Sequence, residues 1–253
     1  MAGRSAVVSA VGEARYRRLL GRSRPFDEAE LRRLSPMLIL SPHQDDETLG
    51  AGGLIATASA LGLRPRVAYL TDGGASHRGS PSWTRERLAR LRAEEAIAAL
   101  DDLGVPPEDI LFLGWRDAAP HAAGSIEHDN TVTALARWVA DRPPASIWTT
   151  WVGEPHCDHA AAAGVAAAFR ETRDPPIPGF AFLTWGWNDD ALDAAQNPRS
   201  LFCPATVEVR GRALARHRSQ TTDLIGDAPQ AFRLPREFAA VTTRTSEIHL
   251  ELG

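Results

Sequence analysis

Ser41-Pro-His43-Gln-Asp45-Asp46-Glu47-Thr-Leu-Gly50 is the stretch on which the reading of this chain turns. It follows the apolar run Met37-Leu-Ile-Leu40, which reads as a buried strand, and leads into residues 50–61, which read as a helix. His43, Asp45 and Asp46 therefore fall on a strand-to-helix turn, where open α/β sheets bind ligands. An imidazole and two adjacent carboxylates crowded at one turn repel or stay unpaired unless something positive joins them. A metal ion is the economical answer.

The same layout recurs far along the chain. Ile147-Trp-Thr-Thr150 reads as a strand, Glu154-Pro-His156-Cys-Asp158-His159 as a polar turn, and Ala160 to Arg170 as an alanine-rich helix. Asp158 is expected to be the N-cap, with His159 opening the helix. The two turns follow the first and fourth expected strands. In the common doubly wound order those strands are neighbours and the crevice between them is the switch point, so the two motifs would meet in space.

Strand and helix signals alternate between and after these motifs. Further strands are expected at Arg66–Leu70, Asp109–Leu113, Phe180–Thr184 and Thr206–Val209. Helices are expected from Ser82 or Thr84 to Leu103, from about Asn130 to Asp141, and from Gly211 to Ile225; residues 185–204 read as loop, and the last thirty residues are ambiguous. The pattern predicts a Rossmann-like α/β fold, a three-layer α/β/α arrangement around a mostly parallel sheet. Residues 1–36 read as an N-terminal helical extension and residues 37–253 as one domain.

Composition removes several function classes. The 253 residues are 43% hydrophobic and 24% charged, with a formal charge of −4, which argues against a nucleic-acid partner. Every basic side chain besides histidine is arginine, which excludes Schiff-base chemistry and a P-loop lysine. Two cysteines, Cys157 and Cys203, give no disulfide framework. The first 36 residues lack the apolar core of a secretory signal, and no stretch reaches the ~20 apolar residues of a membrane span. A cytoplasmic protein is the expectation, with the extension available to pack against a second subunit of a homo-oligomer.

A catalytic zinc takes three ligands from His, Asp or Glu and leaves a position for water. His43, Asp46 and His159 supply that set, although another divalent transition metal such as iron or cobalt suits the same donors. Adjacent aspartates point different ways, so Asp45 is free to serve as general base. His156 would bracket the opposite side of the substrate, and Asp158 would orient a histidine. Each signal alone has a plain structural explanation, such as a hydrogen-bonded histidine or an acidic helix start. Their recurrence at the ends of two neighbouring strands is what favours a metal. Cys157 is left out of the set, and His77, His121, His128 and His249 are expected at the surface.

Pro42-His43-Gln-Asp45-Asp46-Glu47 with Gly52-Gly53, followed by His156-Cys-Asp158-His159, resembles the PIG-L/LmbE-like family of zinc-dependent de-N-acetylases. The resemblance runs from about Met37 to Gln220. It implies zinc on His43, Asp46 and His159, Asp45 as general base, and His156 stabilising the transition state. It also implies that Arg92, in Arg92-Ala-Glu-Glu95, and Asp117 contact the substrate, and it extends to His217-Arg-Ser-Gln220. Gln44 and Cys157 replace prolines of the family pattern, which would loosen both turns. Glu154 stands where thiol-cofactor pathway members carry tyrosine, so their substrate does not transfer. The implied activity is metal-dependent hydrolysis of an N-acyl, chiefly N-acetyl, amide on a small N-acylated amino sugar or glycoconjugate. The alternatives are a longer acyl chain or a non-sugar amide, with Trp115, Trp185 and Trp187 lining a wide pocket, or a non-catalytic carbohydrate-binding relative.

Overall fold

A computed structural model describes residues 9–252; the part of the expected extension before Ser9 lies outside the described residues. The strands are β1 (Arg24–Pro25), β2 (Met37–Ser41), β3 (Arg66–Thr71), β4 (His77–Arg78), β5 (Ile110–Trp115), β6 (Ser146–Thr150), β7 (Gly179–Phe182), β8 (Pro198–Leu201), β9 (Gln230–Ala231) and β10 (Glu247–Leu252). The helices are α1 (Ala10–Arg22), α2 (Glu28–Arg33), α3 (Asp46–Ala60), α4 (Arg85–Asp102), α5 (Ile126–Trp138), α6 (Cys157–Glu171), α7 (Val207–Arg216), α8 (Arg218–Thr221) and α9 (Arg236–Thr242).

Eight strands form one sheet in the order β1-β8-β10-β7-β6-β2-β3-β5, and β4 pairs with β9 apart from it. The five strands β7-β6-β2-β3-β5 are all parallel. Numbered among themselves they run 5-4-1-2-3, the doubly wound order, so this is the Rossmann-like α/β fold that the sequence predicts. The four strands β2, β3, β6 and β7 are buried on both faces, as helix-covered parallel strands must be, whereas the edge strand β5 is only partly buried. Alternation along β2 divides the core. Met37 and Ile39 pack with Leu54 and Ala96 of α3 and α4, whereas Leu38 and Leu40 pack with Leu135 and Phe169 of α5 and α6.

The far side of the sheet departs from the sequence reading. Thr206–Val209 is not a strand. Its β-branched residues suggest one, yet Arg210, Ala213 and Leu214 recur at helical spacing and bury one face of α7, which starts at Val207. The expected helix from Gly211 to Ile225 stops at Arg216, where His217 turns the backbone into the short α8. The missing strand is β8, inside the stretch read as loop. Pro-Arg-Ser-Leu has no apolar run, but pairing with β1 and β10 on its two edges makes it sheet. In the ambiguous C-terminus, β10 runs antiparallel between β7 and β8. No described helix is long and apolar enough to cross a membrane.

Candidate metal centre and catalytic pocket

The β2–α3 turn is tied to its neighbour strand. Pro42 O accepts from Thr71 N and Thr71 Oγ1 at 3.1 and 3.0 Å, and Gln44 Nε2 donates to Thr71 O at 2.8 Å. Gln44 therefore secures the turn with a side-chain hydrogen bond where loosening was expected. Asp45 has φ +148°, a region that costs a non-glycine residue on the order of 1–3 kcal/mol. Surrounding contacts hold it there. Arg92, 3% exposed, donates to Gln44 O (2.8 Å), Asp45 Oδ1 (3.2 Å) and Gly73 O (3.0 Å), while Asp45 N donates to Glu47 Oε2 (3.1 Å). Gly73 must be glycine: its φ is +64°, and a Cβ would lie 2.2 Å from Gln44 Oε1. Arg92 lines the pocket; two of its three hydrogen bonds go to the turn that carries Asp45 and the third to Gly73, after β3.

The β6–α6 turn corrects one expectation. The N-cap is His156, not Asp158. The chain is extended at His156, whose Nδ1 accepts from Asp158 N at 3.3 Å, and the helix has begun by Cys157. Asp158 points inward with no exposed surface. It accepts from Ala118 N at 2.7 Å, and its Oδ2 lies 3.1 Å from His43 Nε2. His159 Nε2 lies 3.2 Å from Asp46 Oδ2, and its Nδ1 lies 3.5 Å from Glu154 Oε2. Glu154 also accepts from Thr184 N (2.8 Å), Thr184 Oγ1 (3.0 Å) and Trp185 N (2.7 Å). From sequence it was only a departure from pattern; in the fold it joins His159 to the chain after β7.

Because β2 and β6 are paired, with Leu38 opposite Ile147, the two turns meet. His43 Nδ1 lies 3.1 Å from Asp46 Oδ2, and its Nε2 lies 3.3 Å from Asp117 Oδ1. Donor atoms of His43, His156 and His159 fall within 4.8 Å of one another, as do those of His43, Asp117, His156 and Asp158. Burial pulls His43 and His159 toward neutrality, but the carboxylates outweigh it; His43 is raised well above its usual value, by Asp117, Asp158 and Asp46, and His159 to about 9, by Asp46 and Glu154. Asp46 is lowered, since the two imidazoles prevail over burial. Burial, opposed by Arg92 and aided by Asp46, raises Asp45 to about 6. His156 is lowered by burial and by the positive charge of His43 and His159. The cluster thus concentrates protons where a cation would replace them. Imidazole nitrogens and carboxylate oxygens at this spacing are a donor set for a divalent transition metal, so the residues fit such an ion.

These groups floor a cavity of about 590 Å³ whose walls include Arg92, Asp117, Trp185, Gln220 and Phe232. Gln220 Nε2 donates to Ser76 Oγ at 3.3 Å, whereas its buried Oε1 has no hydrogen-bond partner. Of the three tryptophans expected here, Trp185 arrives. Trp115 is buried with its Nε1 on Thr131 Oγ1, and Trp187 lines a different cavity with Tyr16 and Leu49. His77, His128 and His249, expected at the surface, are buried at 3, 6 and 0% exposure, since β4, α5 and β10 carry them inward.

The fold and this cluster define a Rossmann-like protein with a metal-type site at the carboxyl ends of its central strands. Residues 38–169, just over half of the chain, match the PIG-L family, described as GlcNAc-PI de-N-acetylase, and the chain belongs to that family. A probable N-acetyl-α-D-glucosaminyl L-malate deacetylase of Bacillus subtilis is 25% identical over 203 residues, covering 78% of this chain and 88% of the relative. Among solved structures, the N,N'-diacetylchitobiose deacetylase of Pyrococcus horikoshii superposes with TM-score 0.63 at 18% identity, over 97% of this chain and 90% of that one. A 4-carboxy-2-hydroxymuconate hydratase of Pseudomonas putida KT2440 has TM-score 0.59 at 21% identity, over 73 and 79%. The same fold therefore houses a different reaction, and the site has to carry the functional argument.

Proposed function

We propose that this protein hydrolyses an N-acyl amide, N-acetyl foremost, on an amino sugar or sugar conjugate, using a divalent metal that is zinc by preference. The observation that carries this is the convergence of His43, Asp46 and His159 beside a strained, buried Asp45 at the floor of one cavity. Family membership points to the same amide chemistry.

In this reading His43, Asp46 and His159 hold the metal, which supplies Lewis acidity toward the acyl oxygen and acidifies water. Asp45 accepts the proton of the attacking water, its carboxylate fixed by Arg92 on one side and its backbone by Glu47 on the other. His156 faces the cavity with its side chain 41% exposed. Its Nδ1 is occupied in accepting the Asp158 N–H, so the neutral ring carries its proton on Nε2, ready to donate to the developing oxyanion. Asp158 and Asp117 orient His43.

The test is acetate release from a panel of N-acetylated amino sugars and glycosides, with zinc-loaded wild type and Asp45→Ala in parallel. Acetate from wild type alone supports the reading. Equal turnover by Asp45→Ala removes Asp45 as the base. Absence of acetate from every member transfers the reading to a longer acyl chain or another amide, and absence of bound metal by elemental analysis removes its foundation.

A further inference from the structure

The two supports of Asp45 lead to one short helix outside the cavity. Asp45 N donates to Glu47 Oε2, and the Asp45 carboxylate accepts from Arg92 of α4. Glu47 has no exposed surface. Its Oε1 accepts from Thr48 Oγ1 at 2.7 Å and lies 3.6 Å from Nε2 of His217, which in turn stands 3.5 Å from Thr48 Oγ1. Thr48 commits its hydroxyl hydrogen to Glu47, so both atoms facing Nε2 are acceptors and the network places an N–H there. Among the described residues, His217 is the one basic side chain within ion-pair reach of the Glu47 carboxylate.

His217 stands at the start of α8, and its carbonyl accepts from Gln220 N (3.0 Å) and Thr221 N (2.9 Å), which fixes the residue to that helix. Two positions on, Ser219 N and Oγ donate to the two oxygens of Glu95 at 2.8 and 2.5 Å. Glu95 is buried on α4, three residues after Arg92. One helix therefore grips both elements that hold Asp45: the first turn of α3 through His217, and α4 through Ser219.

His217 has no exposed surface, does not line the catalytic cavity and is not among the clustered donor atoms. Any part it takes in the chemistry passes through Glu47. A residue at φ +148° stays there only while its surroundings over-determine it, and the Asp45 N–H relies on Glu47 as its acceptor. Loosening Glu47 frees that amide and with it the direction of the Asp45 carboxylate. A displacement of about 1 Å in a reacting group costs on the order of 10²-fold in rate.

We propose that His217 is a positioning residue for the general base: through Glu47 it fixes the backbone of Asp45 and so aims its carboxylate. The proposal rests on the reading of Asp45 as the base of amide hydrolysis.

The experiment compares zinc-loaded wild type, His217→Leu and His217→Gln by residue-resolved hydrogen exchange and by acetate release from the panel above. Exchange at the Asp45 amide, measured relative to the Trp148 amide of β6, should be roughly tenfold or more faster in His217→Leu. A general loss of stability accelerates both amides, so the ratio isolates the brace. The same substitution should lower kcat about 10–100-fold with KM and zinc affinity within about twofold of wild type. His217→Gln, whose NH2 can stand in for Nε2–H, should recover most of both losses. In an Asp45→Asn background His217→Leu should lower the residual kcat no further, because no base is left to aim. If His217→Leu fails to fold, Glu47→Gln with His217→Leu, which leaves no buried carboxylate unpaired, takes its place with the same expectations. An unchanged exchange ratio overturns the proposal. So does an equal kcat loss in the Asp45→Asn background, or a glutamine variant as impaired as the leucine one. Absence of acetate from wild type would remove the hydrolase reading, and the exchange ratio would still decide whether His217 holds Asp45.

Discussion

Replacing Glu154 by glutamine keeps the shape of a side chain with no exposed surface and changes only its hydrogen-bonding sense. Both oxygens of Glu154 face donors: Thr184 N on one, Trp185 N and Thr184 Oγ1 on the other. A glutamine must turn its NH2 toward one of these backbone N–H groups, in either orientation. One charge-assisted bond is lost, at about 1.5–3 kcal/mol, and a buried N–H is left unsatisfied, at about 1–3 kcal/mol. Allowing for relaxation, a loss of roughly 3 kcal/mol is expected, which for a chain of this size lowers Tm on the order of 10 °C. The second effect falls on His159, whose Nδ1 loses its carboxylate neighbour at 3.5 Å. Removal of a partner that orients a metal-binding imidazole typically lowers metal affinity by about 10–100-fold. Scanning calorimetry without metal and zinc titration against a competing chelator read the two effects separately. A Tm within about 2 °C of wild type together with unchanged zinc affinity would refute the assignment of Glu154 as the brace of this turn.

Four other outcomes follow from the same structure. Asp45→Asn should lower turnover by about 10²–10⁴-fold while elemental analysis finds the metal retained, because the base is lost and the ligands are not. Gly50→Ala should cost about 1–3 kcal/mol in denaturant unfolding, since its Cβ would lie 2.3 Å from Phe182 Cδ2. Asp109→Asn should lower stability by about 3 kcal/mol and leave metal affinity unchanged, because the buried carboxylate accepts from Arg64, Arg66 and Arg142 at the end of the sheet away from the pocket. His77 is lowered to about 4, by burial first and then by the positive charge of Arg92 and Arg233, against Asp227. A depressed folded-state value means its stabilising effect is complete above the unfolded value near 6.5 and is lost as pH falls through 4. Wild type should therefore lose about 2 kcal/mol between pH 7.5 and 5 that a His77→Gln variant retains, and parallel slopes in the two proteins would refute this.

Local rules explain what could be read early. The apolar run from Met37 and the β-branched and aromatic run Ile147-Trp-Thr-Thr150, each followed by a polar turn and a helix, specify parallel strands whose carboxyl ends carry His43, Asp45, Asp46, His156 and His159. The parallel order then brings them together without knowledge of any contact. The pattern failed where burial came from partners distant in sequence. β8 is a strand because β1 and β10 flank it, and α7 is a helix because Arg210 and Ala213 have a face to bury, with Arg210 lying 3.3 Å from Glu247. The cap of α6 was misplaced by two residues because either His156 or Asp158 can accept a backbone N–H, and only the chain's path selects between them.

The sequence by itself determined the alternation of the five parallel strands with their helices and the chemistry available at two turns, since both depend on periodicity and on side-chain type at short range. Tertiary structure alone decided which neighbour each group answers to. Arg92 reaches the Asp45 turn because α4 lies alongside it, Glu154 reaches Thr184 because β7 pairs with β6, and Arg78 reaches the cavity rim because β4 pairs with β9. These contacts join residues 30 to more than 150 positions apart, and no local periodicity encodes a meeting at that range.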